Sequence, residues 1–159
     1  MDRNNTETVA VESSERYKVL TRYEAEILEA AVSDVLGEDR GLPSIEAERI
    51  ARWIDTQYLA KSTFVLRLIY RFLILALQFV FPILFGSEYK IFLSLSSEEK
   101  QRLFNKWAES RVYLFRGSLT IFRLVICFGY YGQDEVSRAI GYDAEAKLAK
   151  ASKRQVVRE

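Results

Sequence analysis

A chain of 159 residues is long enough for one domain with a substantial core and short for two. Its formal net charge is +1, with acids and bases interspersed along most of the chain, which argues against whole-molecule attraction to a nucleic acid. It has no His and a single Cys, so the usual general base, the commonest metal ligand and any cysteine-rich metal or disulfide framework are excluded.

The first stretch, MDRNNTETVAVESSERYKVL, mixes acids and bases and lacks the apolar run of a signal peptide. It predicts a flexible arm over residues 1–19 and a cytoplasmic chain. Helix one begins at Thr21, where T-R-Y-E sets Glu24 three positions on as a capping box, with Leu20 as a hydrophobic staple. Ile27, Leu28, Ala31, Val32 and Val35 form its apolar stripe, and Gly37 supplies a left-handed C-cap. The carboxylates Glu24, Glu26 and Glu29, like Glu46 and Glu48, read as a solvated face of an amphipathic helix.

GEDRGLP turns the chain. A second helix from about Ser44 carries Ile50, Trp53, Ile54 and Tyr58 on one side, with Arg52 and Asp55 on others. The third, from about Ser62, is apolar nearly all round beyond Arg71 and is expected to be the most buried element. Its uncharged part, residues 72–85, is about 21 Å long at helical rise, too short to cross a hydrocarbon layer of about 30 Å alone. Interfacial insertion or a span that admits Arg67 and Arg71 are the alternatives for the 64–86 segment. Pro82 is expected to kink or end it.

Residues 89–95 read as briefly extended. Ser96 to Glu99 then repeats the capping-box logic, and Leu103, Phe104, Trp107 and Ala108 face inward. The pattern changes register near 110–113, where a bend is expected, and runs into the apolar VYLFRGSLTIFRLVICFGYY. Cys127, set among large apolar residues there, reads as core. Asp134 is expected to cap a short helix that Gly141 stops. Residues 144–159 form a basic tail. Together these elements predict an all-α fold, a compact bundle of about five helices plus a short C-terminal helix.

No phosphate-binding loop, dinucleotide fingerprint, zinc-protease motif or nucleophile elbow occurs. No catalytic, cofactor-binding or metal-binding residue is therefore assigned. Five arginines set in apolar surroundings, Arg67, Arg71, Arg111, Arg116 and Arg123, each need an acceptor. They pair within the chain, with helix C-terminal carbonyls or acids such as Glu109 and Asp134, or they cross an interface. Trp107 divides in the same way between core and binding anchor.

LSLSSEEKQRLFNKWAESR, then LFRGSLTIFRLVICFGYY, then EVSRAIGYD, resemble in that order the small-subunit family called gluconate 2-dehydrogenase subunit 3. They are also similar to the helical region that precedes the flavin domain of some glucose–methanol–choline oxidoreductases. LTRYEAEILEAAVSDVLGED resembles that family's first helix, so the likeness spans residues 20–143. It implies a non-catalytic accessory subunit that stabilises or matures a large flavin-dependent oxidoreductase subunit, with FAD held by that partner. The twin-arginine leader of many such subunits is missing here, which favours a cytoplasmic complex peripheral to the membrane. Trp107, Ser110, Arg111, Tyr130, Tyr131, Gly141 and Tyr142 match the pattern, in a role that is either contact with the partner or maintenance of the fold. With Arg67, Arg71, Arg116 and Arg123, all of these but Gly141 are the candidate interface residues. The second reading is a peripheral membrane protein that inserts residues 72–85.

Overall fold

The computed structural model describes residues 17–37, 41–86 and 90–142. Among these residues it contains seven α-helices and no strand: α1 (Arg22–Leu36), α2 (Ala47–Trp53), α3 (Phe64–Phe79), α4 (Phe81–Phe85), α5 (Ser97–Ala108), α6 (Tyr113–Tyr131) and α7 (Asp134–Ala139). The fold is an all-α bundle. Both capping boxes form: the Thr21 and Ser96 hydroxyls accept the Glu24 and Glu99 amides, and each carboxylate reaches back to the cap residue's own amide. Helix entry is thus fixed by four side chains that are local in sequence.

Pro82 ends the third predicted helix, as expected: it has no amide to offer, the chain turns at Val80, and the proline falls in the first turn of α4. Other boundaries differ from the sequence reading. The second helix starts at Ala47 and ends as a π-helical segment, Ile54–Leu59, in which the Ala60 amide reaches back five residues to the Asp55 carbonyl. Phe92–Ser94 form a 3-10 turn within the stretch, residues 89–95, that reads as briefly extended. The short last helix has Gln133 at its cap, with Asp134 as its first residue. The bend between α5 and α6 lies at residues 109–112, as expected, and Gly141, with φ +74°, follows the end of α7.

Residues 17–19, read from the sequence as part of a flexible arm, are fastened to the body: Tyr17 donates to Glu29 at 2.6 Å, and the amides of Lys18, Val19 and Leu20 all donate to the Asp55 carboxylate. The rest of the predicted arm, residues 1–16, and the predicted basic tail lie outside the described residues.

The core is centred on Trp107, which is fully buried and has Phe81, Phe104 and Phe122 around it at ring-centroid distances of 4.1, 6.1 and 6.2 Å. Ile27, Leu28, Ile50, Ile54, Ile74, Leu77 and Ile126 complete it, each buried side chain contributing about 1.5–3 kcal/mol relative to exposure. On α6, Gly129 lets α2 approach: a Cβ there would lie 2.9 Å from Ile50 Cγ2 and 3.1 Å from Ile54 Cγ1.

The expectation that the third helix is the most buried element is overturned. Tyr70, Leu73, Ile74, Ala76, Leu77 and Gln78 are buried, but Phe64, Leu68, Phe72, Leu75 and Phe79 on the other side are exposed. The bundle covers α3 from one side only, where α1, α6 and the 3-10 turn pack.

Candidate functional site

The arginines divide into inward and outward sets. Arg67 donates to the carbonyls of Leu59 (2.8 Å) and Ala60 (2.6 Å), at the end of the π-helical segment, where the dipole favours a cation. Arg71 Nε donates to Glu24 Oε1 at 2.8 Å. Arg116 turns back to the Ser110 carbonyl at 2.9 Å. Arg123 lies over the Phe104 ring, 5.9 Å from its centroid, with its buried Nε making no hydrogen bond among the described residues. Arg111 is exposed. The acceptors found for Arg67, Arg71 and Arg116 are thus two helix-end carbonyls, a loop carbonyl and Glu24, rather than Glu109 or Asp134.

Trp107 is not a surface anchor. Its Nε1 donates to the Phe115 carbonyl at 2.8 Å, which ties the end of α5 to the first turn of α6. Ser110 serves the same bend, its Oγ accepting from the Val112 amide at 3.3 Å. Tyr130 is half-buried and donates to the Pro43 carbonyl at 2.9 Å. Tyr131 and Tyr142 are exposed, the former against Tyr130 edge to face at 5.2 Å. Of the ten sequence candidates, Arg111, Arg116, Tyr131 and Tyr142 therefore lie on the surface, and the structure does not gather them into one constellation. Cys127 is half-buried rather than fully enclosed.

Two carboxylates that the sequence placed on solvated faces are buried. Asp55, fully enclosed, receives the three amides that lead into α1; its partners lie 35 or more residues away, beyond any local pattern. Glu24 is buried under Arg71. Burial pushes its carboxyl up, but the hydrogen bonds from Arg71 and from the Thr21 amide and hydroxyl outweigh that and hold it below the ordinary glutamate range. Its place in the capping box was the one legible signal. The Tyr70 hydroxyl is buried, has no hydrogen-bond partner among the described residues, and is pushed far above its usual range by burial and by neighbouring Tyr58. No group of three or more metal-ligating side chains occurs among the described residues.

What the surface offers is two apolar helix faces. On α3 and α4, Phe64, Leu68, Phe72, Leu75, Phe79 and Ile83 follow one another at helical spacing, Phe64 at 77% and Phe72 at 69% exposure. On α6 a second strip runs through Leu114, Ile121, Leu124, Phe128 and Tyr131. No protein-family model, no curated protein and no solved structure matches the chain.

Proposed function

We propose that this chain is a non-catalytic accessory subunit whose α3–α4 face docks on a larger flavin-dependent oxidoreductase of the glucose–methanol–choline type, stabilising it or helping it mature. The exposed row from Phe64 to Ile83 carries the reading, because three phenylalanines and three aliphatic side chains left in water on one helical side gain most from burial against another protein. The ordered likeness over residues 20–143 supplies the kind of partner. FAD and substrate chemistry belong to that partner, and the contribution of this chain is mass action: a protein that binds the folded state raises its population.

The test is co-expression of this chain with a large flavin-dependent oxidoreductase subunit of the glucose–methanol–choline type from the same source. A stoichiometric complex is expected, with FAD content and activity of the large subunit falling at least tenfold when this chain is omitted or carries Phe72→Asp. Full FAD loading and activity of the large subunit without this chain would overturn the reading.

A further inference from the structure

We propose that the outer face of α6 rests on an anionic lipid surface, with the helix axis lying along the membrane plane. This is independent of the oxidoreductase reading, since it concerns a different helix face. α6 is long and apolar enough to cross a membrane by length and composition, yet only 28% of that stretch is buried. A crossing is opposed by its inner side, where Leu119, Phe122, Val125, Ile126 and Gly129 are packed into the body; surrounding the helix with lipid would strip the core. Contact along one side leaves the core intact.

The polar groups of α6 are arranged for that contact. The outer strip runs from Leu114 past Gly117 to Ile121, Leu124, Phe128 and Tyr131, about 26 Å at helical rise. The Ser118 hydroxyl donates to the Phe115 carbonyl at 2.8 Å and that of Thr120 to the Arg116 carbonyl at 3.0 Å, so neither enters an apolar phase unpaired. Arg123 turns inward over Phe104. Exposed Tyr113 and Tyr131 stand at the two ends, the position amphipathic rings take at headgroup level.

Charge selects the lipid. α6 holds arginine and no acid, the nearest acids lying beyond its ends at Glu109 and Asp134. Arg111 is exposed just before α6 and Arg116 in its first turn, where one guanidinium nitrogen of Arg116 donates to the Ser110 carbonyl; the remaining donors of the pair meet headgroup phosphates while the apolar side chains enter the acyl boundary. On α3 the arginines Arg67 and Arg71 are only partly exposed and bond within the body, and the exposed cation before that helix, Lys61, donates to Gln57.

The experiment is flotation of the full chain with vesicles of phosphatidylcholine alone and of phosphatidylcholine containing phosphatidylglycerol. The wild-type chain is expected to float with the anionic vesicles and at least tenfold less with the neutral ones. Ile121→Asp with Leu124→Asp is expected to abolish flotation while the far-ultraviolet circular dichroism is unchanged; both positions are exposed, so folding survives. Arg111→Glu with Arg116→Glu is expected to remove the preference for anionic lipid. Failure of the wild-type chain to float would overturn the proposal. Unchanged flotation of the Ile121/Leu124 variant would also overturn it, and loss of a protein complex in that variant with flotation intact would assign the face to a protein partner.

Discussion

Glu24 serves three groups at once. One carboxylate oxygen accepts the Thr21 amide and hydroxyl at 2.8 and 2.9 Å, and the other accepts Arg71, so a single side chain both starts α1 and ties α3 to it. Glu24→Gln keeps the shape and removes the charge. Because Arg71 retains considerable exposure, water screens part of the loss, and the expected destabilisation is about 1–2 kcal/mol by urea unfolding at pH 7. The folded-state carboxyl lies below its ordinary value of 4.5. Its stabilisation is therefore present in full above that value and is lost as pH falls from there through the folded pKa. The difference between wild type and variant should accordingly shrink when unfolding is repeated at pH 3.

Tyr70 presents the opposite case. Its ring stacks on Phe122 at 5.9 Å while its hydroxyl is buried without a hydrogen-bond partner among the described residues. Removing an unsatisfied buried hydroxyl relieves a desolvation penalty. Tyr70→Phe is expected to leave stability unchanged or raise it by about 1 kcal/mol, read as the denaturation midpoint. A loss of more than about 1 kcal/mol would mean that the hydroxyl has a partner in solution.

At the scale of elements, α6 contains two glycines that helix propensity treats alike and packing does not. Alanine is favoured over glycine inside a helix by about 1 kcal/mol. At Gly117 a Cβ meets nothing within 4 Å, whereas at Gly129 it meets Ile50 and Ile54 at 2.9 and 3.1 Å. Gly117→Ala should therefore stabilise the protein by up to about 1 kcal/mol, and Gly129→Ala should destabilise it by about 1–2 kcal/mol as overpacking against α2 outweighs propensity. Thermal melts of the two variants, shifting in opposite directions, check this. The element boundaries show where local chemistry is readable. Thr21 with Glu24, Ser96 with Glu99, Pro82 and Gly141 each act through neighbours within a few residues, and each is found where the sequence places it. The π-helical turn that holds Asp55 had no such signal, because its use is to fasten Lys18, Val19 and Leu20 from across the bundle.

At the scale of the whole molecule, the two apolar faces belong to different helices and carry different charge surroundings, so the two proposed contacts should be separable. Phe72→Asp is expected to weaken co-purification of the large flavoprotein subunit and leave flotation intact, and Ile121→Asp with Leu124→Asp to do the reverse. Loss of both activities in either variant would mean one continuous surface with one partner.

The sequence by itself determined the helical class, the two strong helix starts, the bend near residue 110 and the lack of the familiar catalytic motifs, because caps, turn residues and missing residue types are local properties. It left open which side of the two most apolar helices meets water. When apolar residues surround a helix, periodicity no longer points inward, and neither Phe72 nor Phe122 is marked as outer or inner by its neighbours. Only the tertiary structure decided that Phe122 is enclosed and Phe72 exposed, that Trp107 belongs to the core, and that Arg71 is held by Glu24. The physical reason is that burial depends on which elements arrive from elsewhere in the chain, and α3 is covered from one side alone.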